Sequence, residues 1–162
     1  MPTITVEKSV TIDRPADEVW RFLSEEDNVV RWQRDVHSHA REETTTRQAR
    51  KFAGHRMEMD HEVSHDHEGR TRGYRGQVDT AFGSQEYEGQ HIVTPAGEEA
   101  CTVTSKMVAD LPHLPAEAEG AMERMAAQTI EGNLTTLKHL LEAPPELHEH
   151  LRQAHPGWQG SP

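Results

Sequence analysis

The stretch from about Ala116 to Glu142 constrains this chain more than any other. Met122, Met125, Ala126, Thr129, Ile130, Asn133, Leu134, Leu137 and Leu141 recur at three- and four-residue steps. That spacing places side chains along one face of an α-helix. Glu117, Glu119 and Glu123 near its start, and Lys138 and His139 near its end, suit the helix dipole. Pro144 and Pro145 stop it. A helix this long and this one-sided needs a broad partner over its apolar face. Asn133, Thr129 and the two methionines are odd choices for a tight dry core. They suit the lid of a cavity.

The rest of the chain supplies strands to make that partner. Thr3 to Ile12 alternates, with Ile4, Val6, Val10 and Ile12 on one face, as a half-buried strand does. Asp13 and Pro15 then read as the cap and first turn of a helix carrying Val19, Trp20, Phe22 and Leu23. Ser24, with Asp27 three residues on, reads as the start of a second short helix ending near Trp32. From Asp35 the pattern is strand-like. Val36, Ser38 and Ala40 alternate with His37, His39 and Arg41, and Thr44 to Phe52 is β-rich but polar. Met57, Met59, His61 and Val63 alternate with Arg56, Glu58, Asp60 and Glu62. Further strands run over Thr71 to Val78, Ser84 to Val93 and Ala100 to Ala109, with Leu111 to Pro115 leading into the long helix. After Ala143 the chain is rich in Pro, His and Gly and reads as a flexible tail over 144–162.

Composition bounds the partners. A chain of 162 residues fits one domain with a sizeable core. Its formal net charge of −11 argues against nucleic acid and against an anionic membrane surface. Hydrophobic content is only 33%, which points to a thin core with a polar interior or to a disordered tail. The single cysteine, Cys101, excludes an internal disulfide framework and fits a reducing cytosol. No secretory leader or membrane-spanning run is legible, so a cytoplasmic protein without membrane insertion is expected.

Several segments resemble a known superfamily. The run from Val10 through Asp13, Pro15 and Trp20 to Leu23 is similar to the opening segment of START-like (SRPBCC, Bet v 1-like) proteins, and so is Trp32 at the end of the second helix. Arg50 to Met59 resembles the hairpin of bacterial polyketide cyclase/dehydrase-like members. Tyr87 to His91 resembles their sixth strand, and Thr135 to Glu142 resembles the end of their helix. The resemblance covers Thr3 to Ala143. It implies an α+β helix-grip fold: a seven-stranded antiparallel sheet around a long C-terminal helix, with two short helices after the first strand. It also implies a START-like ligand-binding domain over 1–143, with an apolar small molecule held between sheet and helix. No cofactor and no metal are implied, and the chain is expected as a monomer or homodimer.

The candidate site residues follow from the strand faces and the helix stripe. They are Trp32, Met57, Met59, His61, Tyr87, His91, Met107, Met122, Met125 and Asn133. In one register His61, with His65 and His67 further along, shares a face with Met57 and Met59, and His91 matches it on a later strand. Neutral imidazoles there would orient a hydroxylated aromatic or act as acid and base. A slip of one residue sends each of them to solvent. The methionines suit an adaptable pocket lining or plain core. Tyr74 and Tyr87 suit ligand contact or packing, and Asn133 a ligand contact or a backbone bond. His61, His65 and His67, with Asp66 and His91, offer metal-ligand types, but their spacing matches no closed structural site.

Three functions compete. One is binding or carrying an apolar or aromatic small molecule, a polyketide-like natural product or lipid, in secondary metabolism. It predicts binding without turnover. A second is a cofactor-independent cyclase, aromatase or dehydratase using cavity His and Tyr, its activity lost on His61→Ala or His91→Ala. The third, implied by the resemblance to a self-resistance subgroup of the superfamily, is sequestering an enediyne or being consumed by it, with backbone cleavage at a glycine facing the cavity; Gly73, Gly76, Gly83 and Gly89 suit tight strand bends or close approach of a ligand to the backbone.

Overall fold

A computed structural model describes residues 3–42, 45–52, 55–80 and 83–144. The expected C-terminal tail from residue 145 onward lies outside the described residues. The order is β1 (Thr3–Ile12), α1 (Ala16–Ser24), a 3-10 turn (Glu26–Asn28), α2 (Val29–Trp32), and then β2 (Val36–Glu42) and β3 (Thr45–Phe52). It continues through β4 (His55–Asp66), β5 (Thr71–Thr80), β6 (Gly83–Pro95), β7 (Cys101–Asp110), a second 3-10 turn (Ala116–Ala118) and α3 (Glu119–Glu142).

The strands form one antiparallel sheet in the order β1-β7-β6-β5-β4-β3-β2. Alternation sets its two faces, because successive side chains in a strand point to opposite sides. On β1 it buries Ile4, Val6 and Ile12, and on β7 it buries Cys101, Val103, Ser105 and Ala109. α3 lies across this face, chiefly against β1, with lesser contact to β7 and α2. This is the helix-grip architecture.

Two apolar clusters hold the helix. The first joins Ile12, Val19, Phe22, Leu23, Trp32, Val93 and Val103 to Leu134, Leu137, Leu140 and Leu141 of α3. Leu137 is fully buried, and truncating such a leucine costs about 2–5 kcal/mol. The second joins Ile4, Val6, Ala109, Leu111 and Leu114 to Ala126, with Tyr87, Met107, Met122 and Ile130 half-buried around it. The C-terminal half of α3 is therefore firmly seated, and its N-terminal half carries a looser apolar rim.

Local expectations needed correction at the helix starts. Neither Asp13 nor Ser24 caps a helix. Pro15 is the N-cap of α1 and Glu25 that of the following 3-10 turn, both without side-chain capping bonds. The Asp13 backbone N–H instead donates to Glu142 Oε2 at 2.8 Å, and Ser24 Oγ donates back to the Arg21 carbonyl. The chain end of α3 is thus tied to the β1–α1 corner, reinforced by Lys138 Nζ donating to the Thr11 carbonyl and to Glu142.

Candidate functional site: a polar network under the grip

Beyond the part covered by α3, the concave face of β2 to β6 carries polar side chains. At their centre is Glu26, from the 3-10 turn, 9% exposed. Its Oε2 accepts Arg72 Nε at 2.8 Å and its Oε1 accepts Arg72 Nη2 at 2.8 Å, a forked pair. His39 Nε2 lies 3.0 Å from Oε1, and His65 Nε2 lies 2.8 Å from Oε2. Both carboxylate oxygens are thus doubly engaged. Burial alone would raise the Glu26 pKa. Hydrogen bonds from Arg72 and His39 and the Arg72 charge outweigh it and hold the carboxyl far below its usual range.

A second chain of contacts runs from α3 into the same space. Asn133 Oδ1 accepts the Arg34 backbone N–H at 3.0 Å, and Asn133 Nδ2 donates to Asp35 Oδ1 at 2.8 Å. Asp35 Oδ2 pairs with Arg50 Nε at 3.0 Å, and Arg50 Nη2 donates to Gln33 Oε1 at 2.8 Å. Asn133 is therefore a docking residue whose amide is committed to the α2–β2 junction.

Between these chains sits His61, 4% exposed. Its Nδ1 is 3.1 Å from the Tyr87 hydroxyl, and its Nε2 has no partner among the described residues. Burial, and then the charge of Arg72, lower its pKa from 6.5 to about 3, so the ring is neutral near pH 7. Burial raises the Tyr87 and Tyr74 phenols, which stay protonated. His91 is likewise kept neutral by burial and by Arg72, whose Nη1 lies 3.4 Å from its Nδ1. Trp32 sets its ring edge against His91 at 5.0 Å.

The space enclosed is small. Gln33, Gln48, Arg50, His61, Arg72, Tyr74 and Tyr87 line a void of about 10 Å³, the size of one water-sized group. Among the described residues, polar side chains fill the part of the space between sheet and helix that lies around His61. Two open hollows of about 650 and 580 Å³ are lined mainly by outward residues such as Glu62, Arg75 and Glu88, the first also by His61 and Tyr87.

The expected site residues divide accordingly. His61, His91 and Met59 are buried and inward, as the unslipped register requires, and Trp32 of α2 is buried as well. Tyr87 joins His61 directly. Met57, Met107 and Met122 are half-buried. Met125 is 37% exposed, so it lines no interior. His67 lies in the β4–β5 turn and accepts the Trp20 Nε1–H at 3.2 Å. His61, His65, His67, Asp66 and His91 do not converge, and no metal-holding group occurs among the described residues.

Sequence reasoning missed Glu26, Arg72, Gln48, Arg50, Gln33, Asp35 and His39. Arg72 was within reach, since it alternates with Tyr74 and Gly76 on one face. His39 was not. The expected alternation put Ser38 on the face of Val36, but a register shift between Val36 and Ser38 leaves Val36 opposite Arg50 and His39 opposite Gln48. One extra residue thereby turns His39 inward.

Comparison with solved structures places this architecture. The Zhui aromatase/cyclase from a Streptomyces species is similar with TM-score 0.71 and 14% identity, over 95% of this chain and 97% of that one. A START superfamily protein from Mycobacterium smegmatis is similar with TM-score 0.65 and 14% identity, over 85% and 97%. The di-domain ARO/CYC protein BexL of the BE-7585A biosynthetic pathway is similar with TM-score 0.71 and 22% identity over 87% of this chain, which spans 48% of its length. At these identities the likeness establishes the fold. Among the described residues no helix is long and apolar enough to cross a membrane. Comparison with curated protein sequences returned no match. The family model described as polyketide cyclase/dehydrase and lipid transport matches residues 3–142. With the START-like grip and the register of its strands in view, the chain belongs to that family.

Proposed function

We propose that the protein binds a small aromatic or apolar molecule bearing an oxygen function, of polyketide-like type, without turning it over. The ligand's polar end meets His61, and its apolar body lies along the half-buried rim of Tyr87, Met107 and Met122 below α3. The observation that carries this reading is the His61–Tyr87 pair. It is a buried polar contact with one ring nitrogen left unpartnered, set beside an apolar rim. Buried polar atoms are ordinarily satisfied, and an exception at the end of an apolar rim is what a ligand contact requires.

The electrostatics favour binding over acid–base catalysis. General acid–base work is most efficient when the pKa lies near the working pH. His61, lowered to about 3, is a poor base at neutral pH and carries no spare proton to give. Tyr87, raised by burial, is a poor acid. Both are good fixed hydrogen-bonding groups. The self-resistance reading gains no support here: the inward sides of Gly76 and Gly89 are covered by the Tyr87 hydroxyl and the Tyr74 ring.

The test is a titration of intrinsic tryptophan fluorescence with hydroxylated polycyclic aromatics, run on the wild type and on His61→Leu. Trp32 reports through its contact with His91. Saturable quenching in the wild type, weakened about tenfold or more in the variant, is expected from loss of one buried hydrogen bond. Absence of a saturable signal with every compound, or equal affinity in a folded variant, would sink the proposal.

A further inference from the structure

Among the described residues, Gln48 and His61 in the lining of the void under the grip each leave one polar atom unpartnered; the two atoms are not alike, and their difference specifies a ligand group. His39 Nε2 faces the Glu26 carboxylate, which can only accept, so a ring proton lies there. The atom of the Gln48 amide 2.9 Å from His39 Nδ1 is Nε2, which can only donate, so Nδ1 accepts. The Gln48 amide is thereby oriented, and its carbonyl Oε1 is left buried with no partner among the described residues. Across the same void, the half-buried Tyr87 hydroxyl has no other acceptor among the described residues, so it donates to Nδ1 of neutral His61 and the ring proton sits on Nε2. That N–H is the second unpartnered atom. Gln48 is 1% exposed and His61 4% exposed, and both line the void.

We infer that the site reads a hydroxyl group on its ligand, the His61 Nε2–H donating to the hydroxyl oxygen and Gln48 Oε1 accepting its proton. This rests on the reading that the ligand's polar end reaches His61. The ligand class is then a phenol or hydroxylated polycycle rather than a ketone or an ether. A carbonyl oxygen accepts from His61 but leaves Gln48 Oε1 unsatisfied. An ether does the same and adds a methyl group that a void of about 10 Å³ does not hold. Sites built to hydrogen-bond a hydroxyl reject analogues lacking it, because their own buried groups are left unpaired.

The experiment uses four probes on the full chain: 2-naphthol, 2-methoxynaphthalene, 2-tetralone and naphthalene, each titrated by tryptophan fluorescence and checked by calorimetry. 2-Naphthol is expected to bind about ten- to a hundredfold tighter than the other three. In Gln48→Met, which keeps the volume and removes the acceptor, its advantage over the ether should shrink by about tenfold. Equal binding of all four probes overturns the hydroxyl inference while leaving aromatic binding intact. Tighter binding of 2-tetralone than of 2-naphthol also overturns it, since that requires the Gln48 nitrogen to face the void. Binding of none of the probes removes both readings. The wild-type ranking decides the matter even if Gln48→Met does not fold.

Discussion

Glu26 and Arg72 form a forked ion pair under the grip, with Arg72 Nε and Nη2 each 2.8 Å from a carboxylate oxygen. Forty-six residues separate them in sequence. The pair joins the 3-10 turn after α1 to the centre of the sheet, and two histidines complete the coordination of its carboxylate.

Breaking that pair from one side should be severe. Arg72→Met leaves the Glu26 carboxylate buried with only two histidines, and removing one partner of a buried pair costs about 3–5 kcal/mol. Urea denaturation should show this loss. The double variant Glu26→Gln with Arg72→Met should be more stable than Arg72→Met alone, because no uncompensated charge remains. A double variant no more stable than Arg72→Met would show that packing, not charge, is what the arginine supplies.

Stability should fall in acid over a defined window. In the unfolded chain a histidine takes up its proton below about 6.5, whereas folded His61 stays neutral until about 3. Between those values the unfolded state binds more protons, so lowering the pH favours unfolding. His91 acts in the same direction. Glu26, with its folded pKa lowered, adds stability above its unfolded value of 4.5 that is lost as the pH falls through the folded one. Thermal melts should therefore drop steadily from about pH 6.5 towards pH 4, and His61→Gln should flatten the slope. An unchanged slope in that variant would contradict the assignment.

Asn133 should behave as a docking residue. Asn133→Leu removes an acceptor for the Arg34 N–H and a donor to Asp35 Oδ1. With both partners left half-satisfied, a loss of about 2 kcal/mol is expected. Amide hydrogen exchange should accelerate first in α3 and around Arg34. Asn133→Asp should be worse, since it faces the Asp35 carboxylate.

Gly89 leaves room for an aromatic ring. A Cβ at this position would meet the Tyr74 ring and hydroxyl and, at 2.8 Å, the Lys106 carbonyl. The backbone carbonyl cannot swing aside, so Gly89→Ala should cost about 1–3 kcal/mol by overpacking. Adding Tyr74→Leu should recover only part of it. Full recovery would mean that the ring alone sets the constraint. Chemical denaturation of the single and double variants distinguishes these outcomes.

The architecture was legible in the chain because periodicity is a local property. A step of two residues placed Ile4, Val6 and Ile12 on one face, and steps of three and four marked Leu134, Leu137 and Leu141. Such patterns report directly on which side of an element meets water. The same parity aimed His61 and His91 inward. Tertiary structure alone decided what surrounds them. A one-residue register shift in β2, with no local signature, turned His39 to the interior. Glu26 reads in sequence as an ordinary acidic helix start. It is buried only because Arg72, His39 and His65 come from three distant strands to satisfy it. The size of the space under the helix was likewise beyond the sequence. Volume depends on how side chains from separate strands fill one another's gaps, and among the described residues Arg50, Arg72, Tyr74 and Tyr87 leave room beside His61 for a single small group.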